Sequence, residues 1–217
     1  MNNAFDTDIL VRGVILLSFP RQNTLTLFPK RTSEDQKEMA ACQTFFEMSI
    51  HRTLLYSVKE EWENNIQSKV NEFVYELYKN MDLSKKELIE KIDQKTAYQG
   101  MVEAFEKFST ETWQNQIDDF RSVFERNYLI LIKDCEKFEK DSQEHEKWKS
   151  AFGKNIPELN AKKKDRDLSN LVACACMTKN SPTECSFVLL DKPILKLKQK
   201  IHAIGKYHLL MPSEVSK

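Results

Sequence analysis

Leu55-Tyr-Ser-Val58-Lys-Glu-Glu-Trp62-Glu-Asn-Asn-Ile66-Gln-Ser-Lys-Val70-Asn-Glu-Phe73-Val-Tyr-Glu-Leu77-Tyr-Lys-Asn-Met81 carries its apolar residues at 55, 58, 62, 66, 70, 73, 77 and 81. The mean step is about 3.7, near the α-helical repeat and longer than the 3.5 of a left-handed coiled coil. Such a stripe suits packing within a bundle. Upstream, Phe45, Phe46, Met48, Ile50, Leu54 and Tyr56 spread over more of the surface and read as buried on several sides. Further back, Ser33 with Glu34 and Asp35 offers a helix cap with acids in the first turn. The helical pattern then holds from Ser33 to about Lys140. The fold expected is mostly α: an elongated bundle of three to five helices, with a small β patch where an N-terminal arm meets residues 186–190.

Beyond the stripe, Met81-Asp82-Leu83 breaks the pattern, and Ser84-Lys-Lys-Glu87 matches a capping box. A second helix follows toward Phe108 with Leu88, Ile92, Val102 and Phe105 inward, kinked or closely packed at Gly100. Ser109-Thr110 restarts a third helix bearing Trp113, Ile117, Phe120, Phe124, Leu131, Cys135 and Phe138. Its seven-residue returns fit a heptad, so an oligomeric coiled coil stands beside intramolecular packing.

Four segments result. Residues 1–32 form an arm or hairpin, from β-branched Ile9–Phe19, a Pro20–Asn23 loop and alternating Thr24–Phe28. Residues 33–152 are the long-helix body and 153–167 a linker. Residues 168–217 are a C-terminal helical segment. It holds a helix over Leu168–Thr178, a turn at Asn180-Ser-Pro182, a short strand at Ser186–Leu190 and a last amphipathic helix.

Composition narrows the function. The 217 residues include only four glycines, and phosphate-cradling loops and strained nucleophile turns need that residue. Net charge is zero, but residues 33–140 carry 15 Lys/Arg against 22 Asp/Glu, while residues 141–217 carry 14 against 9. An acidic body argues against nucleic acid along the main helices, and an anionic partner is left the C-terminal third. Asp6 and Asp8 stand where a secretory signal needs positive charge, and no uncharged apolar run approaches the ~20 residues of a membrane span. Five scattered cysteines point to free thiols in the cytoplasm.

No residue grouping forces a chemistry. Cys174-x-Cys176 with Cys185 is tighter than zinc-site spacing and lacks a paired fourth ligand, so small buried thiols are expected. Cys42 and His51 fall on opposite faces of one helix, whereas Glu47 and His51 share one. His145 reads as exposed, and Glu60-Glu61 as part of a solvated face. Glu-x-x-His pairs, a Walker loop and a dinucleotide fingerprint are absent. No catalytic residue, metal, cofactor, small-molecule substrate or nucleic acid is assigned. The expectation is a non-enzymatic interaction or scaffold module with a protein partner or self-association, such as a stalk of an assembly. The alternative is a peripheral membrane protein docking on anionic lipid through the basic helix 192–206. The residues that would carry a partner or membrane contact are Lys192, Lys196, Lys198, Lys200 and Lys206, the apolar Ile194, Leu197 and Ile201, and Trp148.

Overall fold

In the computed structural model, which describes residues 1–18, 32–65, 110–159 and 165–215, the chain opens with a strand, β1 (Asn2–Phe5). Asparagine is depleted in strands, yet β1 lies in the middle of a five-stranded sheet. The others are β2 (Arg52–Leu55), β3 (Glu136–Phe138), β4 (Cys185–Val188) and β5 (His208–Leu210), in the order β3-β2-β1-β4-β5. Every pairing is parallel, with Ala4 opposite Thr53 on one side and Phe187 on the other. Side-chain hydrogen bonds make the asparagines tolerable. Thr53 Oγ1 donates to Asn2 Oδ1 at 2.7 Å, Ser186 Oγ to Asn3 Oδ1 at 2.7 Å, and Asn3 Nδ2 to the His51 carbonyl at 3.0 Å. A polar ladder thus crosses the three central strands, each buried polar group finding a partner.

Helices connect the strands. α1 (Thr7–Ser18) and α2 (Ser33–Glu47) lie between β1 and β2. After β2 come α3 (56–65) and α4 (Thr110–Ile132), then β3. α5 (Ser142–Asn155), a 3-10 turn at Pro157–Leu159 and α6 (Asp165–Asn180) lead to β4. The short α7 (Lys192–Leu195) and α8 (Lys198–Gly205) lead to β5. α1 packs on α2 and α4, while α5 packs on α6 and α8. All residues of β1, β2 and β4 are buried, as parallel strands covered on both faces must be. Trp62 of α3 stacks on Tyr128 of α4 at 4.8 Å. Gly13 lets α1 close on its neighbours: a Cβ there would lie 2.8 Å from the Phe46 ring and 3.0 Å from Leu131 Cδ1.

The elongated helical bundle and its coiled coil are therefore corrected to an α/β fold around a parallel sheet. Four-residue strands explain the difference. β2 sits between two helical stretches, and Leu54 and Leu55 satisfy the apolar repeat of the helix as well as a buried strand. Ile9, Leu10 and Val14, expected in an arm or hairpin, are fully buried on α1. β4 pairs with the N-terminal segment through Asn2–Phe5, in parallel and with no hairpin among the described residues. The cap of α2 is Thr32, which accepts from the Asp35 N–H. Phe138, placed on a helix, lies in β3. The 153–167 stretch begins with the last turn of α5 and ends in α6. The break at residue 81, the capping box at Ser84, Gly100 and Thr24–Phe28 lie outside the described residues, as do the side chains of Trp113, Ile117 and Phe120. Among the described residues, no helix is long and apolar enough to cross a membrane.

Candidate functional site

Strand order 3-2-1-4-5 is that of a doubly wound sheet, and such sheets bind ligands outside the carboxyl ends of the strands where the winding reverses. Here the reversal falls between β1 and β4. The first residue past β1 is Asp6, whose N–H donates to the Val188 carbonyl at 2.9 Å and whose carbonyl receives Ile9 and Leu10 of α1. The backbone thus fixes it at the strand-to-helix corner. Its carboxylate Oδ1 accepts from the Thr7 N–H and from Asn170 Nδ2, both at 2.8 Å. Burial, followed by the neighbouring charges of Asp8, Glu61 and Asp167, pushes the Asp6 carboxyl up to about 8 against the lowering effect of the Thr7 N–H.

Three separate elements supply those acids. Glu61 is on α3, and Thr7 Oγ1 donates to its Oε2 at 2.5 Å. Asp167 and the buried Asn170 stand in the first turns of α6. Asp8, on α1, pairs with Arg12 at 3.6 Å and is half-exposed. Across the crevice Asp191 follows β4 and caps α7, accepting from the Ile194 N–H at 2.7 Å. A cleft of about 250 Å³ opens beside Asp8 and Asp191, lined by those two with Arg12, Asp35, Glu38 and Leu190. Lys192 bridges to Glu34 at 3.3 Å and Asp35 at 3.1 Å, tying α7 to α2 beside it. Glu38 accepts from the Ser213 N–H and hydroxyl, which anchors the C-terminal 3-10 turn (Pro212–Glu214) at the same place. Among the described residues, no three His, Cys, Asp or Glu side chains are spaced to hold a metal ion as they stand.

No family model, curated protein or solved structure matches the chain.

The residues singled out from sequence lie elsewhere. Lys196 and Leu197 separate α7 from α8, so the basic helix 192–206 is two short pieces. Ile194 and Ile201 are fully buried and Leu197 is half-buried. Lys192 is paired as above, and Lys200 pairs with Glu158 at 2.7 Å. Lys196, Lys198 and Lys206 are exposed. Trp148 packs toward Phe152, with its indole nitrogen buried and without a hydrogen-bond partner. Cys174, Cys176 and Cys185 are free and buried. Cys42 is buried on α2, its thiol donating to the Glu38 carbonyl and pushed up to about 12 chiefly by burial. His51 instead pairs with Glu136 at 2.8 Å at the opposite edge of the sheet. His145, expected at the surface, is buried, its Nδ1 sharing a 2.5 Å hydrogen bond with the Tyr56 hydroxyl.

No local sequence pattern singles out Asp6, Asp8, Glu61, Asp167 or Asn170 as a group. One signal was there: Asp6-Thr-Asp8 stands directly before an apolar, helix-length run. Two acids at that point, in a chain poor in glycine, mark a corner at the end of an element.

Proposed function

We propose that the chain is a divalent-cation-dependent phosphoesterase acting on nucleic-acid phosphodiesters, with Asp6, Asp8 and Glu61 as the groups that hold the cation. The observation that carries this is the crowding at Asp6, a carboxyl raised to about 8 by burial and three neighbouring acids at the switch point of a doubly wound sheet. A strongly perturbed acid beside a cleft is a mark of functional sites. All the donors are oxygen, which suits a hard ion such as Mg2+ or Mn2+. Mg2+ keeps several waters and is commonly held by one or two carboxylates plus substrate phosphates, so no preformed cage is required. Asp8 is half-exposed and pairs with Arg12 at 3.6 Å.

Held there, such an ion would supply Lewis acidity toward a phosphoryl oxygen and lower the pKa of a water. The chain's own part is positioning. Thr7 aims Glu61, Asn170 aims Asp6, and Arg12 holds a positive charge at the mouth of the cleft for an anionic substrate. The Cys42 thiol on α2 is disfavoured as nucleophile, because burial holds it protonated. The cleft is open and small, and exposed lysines stand along 196–206. Together these suit an extended polyanion better than a small phosphomonoester. This reading departs from the sequence expectation of a non-enzymatic module without nucleic acid. We also infer a reducing compartment such as the cytoplasm, because all five thiols are unbridged.

The test uses single-stranded RNA, single-stranded DNA and p-nitrophenyl phosphate with Mg2+ or Mn2+. Expected is oligonucleotide cleavage that EDTA abolishes and that falls roughly 100-fold or more in Asp6→Asn. Protein that binds Mn2+ and turns over none of the three sinks the enzymatic reading; cleavage of the monoester alone sinks the nucleic-acid assignment.

A second reading, the interaction module, keeps one specific support: Leu129 and Ile130 on α4 are 61% and 47% exposed. Light scattering of wild type against Leu129→Glu with Ile130→Glu tests it through the solution mass. Docking on anionic lipid has less to draw on, since Ile194 and Ile201 are spent on the core.

A further inference from the structure

We propose that the outer side of α8, from Lys198 through His202 to Lys206, binds the phosphate backbone of a single-stranded nucleic acid. The inference deepens the phosphodiester reading above, and its choice of polyanion rests on that reading. From Lys192 to Ser213 the chain has no Asp or Glu, yet it carries five lysines and two of the four histidines. All of these basic residues are exposed. The apolar residues of the stretch turn inward, with Ile194, Ile201, Tyr207 and Leu209 buried. What faces water is cationic, and little apolar surface is left for a bilayer. That suits an anion that stays in solution, such as a polynucleotide backbone, better than lipid.

Lys198, His202 and Lys206 recur every four residues, so they follow one side of α8, a helix about 12 Å long, to its end. The basic stretch starts at the cleft, because Asp191, which lines it, is followed at once by Lys192. Glu34 and Asp35 neutralise Lys192, and Glu158 neutralises Lys200. Lys198 and Lys206 make no ion pair among the described residues.

Lys206 is the telling position. It caps α8 at φ 60° and is the only non-glycine at positive φ among the described residues. Helices commonly end on glycine in that conformation, because a Cβ strains it. Gly205, one residue earlier, is required by packing instead, since a Cβ on it would strike the Tyr207 ring. The chain thus keeps a lysine where glycine would be relaxed, and that lysine makes no ion pair in return. Strain held at an exposed, unpaired cation points to a ligand. Beside it, His202 Nδ1 donates to the Tyr207 carbonyl at 2.9 Å, and the His202 ring stacks on His208 at 4.6 Å. The two rings are exposed next to the lysines, where a base can stack on them.

The experiment measures binding of labelled single-stranded RNA and DNA oligonucleotides by fluorescence anisotropy, in EDTA and over a series of salt concentrations. It compares the full chain, Lys206→Gly, and Lys198→Gln combined with Lys206→Gly, with a thermal melt of each. Lys206→Gly removes strain and charge together, so its melting temperature should hold or rise while its affinity falls. Each lost phosphate contact should lower the slope of log affinity against log salt by about 0.7. The double variant should lose about twice that slope and about 10-fold or more in affinity at low salt. Wild-type affinity and slope in the double variant overturn the proposal, and so does a lower melting temperature in Lys206→Gly, which would make the lysine structural. A chain that pellets with phosphatidylserine vesicles and ignores the oligonucleotides overturns the nucleic-acid assignment in favour of lipid. Cleavage of the same oligonucleotides with Mn2+ separates the two readings. Binding through these lysines without cleavage keeps the surface and ends the enzymatic reading, whereas cleavage that neither variant alters keeps the enzyme and ends the surface. A wild-type chain that neither binds nor cleaves them overturns both.

Discussion

The two edges of the sheet make a useful pair. At the amino edge a cavity of about 470 Å³ is bordered by Thr53, Glu136, Phe138 and Asn180, with His51 and Glu136 paired at 2.8 Å across it. At the carboxyl edge the cleft is about half that size. Volume alone would place function at the amino edge. Yet His51 and Glu136 are 56% and 60% exposed, and an ion pair that open is worth little. The carboxyl edge holds acids against acids, and Asp6 accepts only from uncharged donors. One edge is electrostatically at rest, and at the other a carboxyl is pushed toward its protonated form. Charge crowding that a fold maintains at some cost, rather than empty space, is what marks a site.

The sharpest way to break this contrast is Asp6→Asn followed across pH. In the folded chain the Asp6 carboxyl titrates near 8, against an ordinary value of 3.8. Between those values the native state holds a proton that the unfolded chain has released, so stability falls as pH rises through that window. Asparagine removes this penalty and keeps an oxygen to accept from Thr7 and Asn170. Asp6→Asn should therefore gain on the order of 3 kcal/mol above pH 8, roughly half the full conversion of the shift because the carboxyl is partly open to water. The gain should vanish toward pH 4. Thermal melts at a series of pH values read it directly, and a gain that does not vary with pH would show that Asp6 is not held protonated.

A smaller effect probes the amino-edge ladder. Asn3→Ala leaves the buried Ser186 hydroxyl without its acceptor, while the His51 carbonyl keeps only the backbone N–H of residue 3, which should cost about 1–3 kcal/mol. Adding Ser186→Ala to Asn3→Ala should restore part of the loss, because one stranded group disappears. Denaturant unfolding of the cycle measures the coupling. Strict additivity would mean that the ladder is incidental to β1.

How much of this was readable follows from what each segment needs. The helical periods of α2, α3 and α4 are in the sequence, and 185–188 stands out as a strand between the turn at 180–182 and Asp191. β1 does not stand out, because Asn2 and Asn3 become strand residues only through Thr53 and Ser186, which lie 51 and 183 residues away from their partners. β2 hides inside a helical repeat. The site was hidden for the same reason. Asp6 and Asp8 resemble ordinary surface acids, Glu61 sits beside Glu60 and Glu63, and Asp167 follows a lysine-rich run. Parallel pairing of β1 with β2, and the start of α6 beside them, bring positions 6, 61 and 167 together. That is tertiary information which no local pattern carries.

The least effect should come from Glu136→Gln, and its smallness is informative. The substitution removes the charge that faces His51 but keeps an amide able to hydrogen-bond the ring, at a position where both side chains are largely in water. Exposed pairs contribute roughly 0–1 kcal/mol and are screened by salt. The expected change in unfolding free energy is within about 0.5 kcal/mol and disappears at 1 M salt. Mn2+ binding should be untouched, because the pair lies at the opposite end of the strands from Asp6. A loss of 2 kcal/mol or more, or a weakened Mn2+ affinity, would mean that the edges are coupled through β2 and β1 and that the amino edge is not at rest. An unchanged Glu136→Gln beside a strongly pH-dependent Asp6→Asn would locate the stored electrostatic energy at the carboxyl end alone.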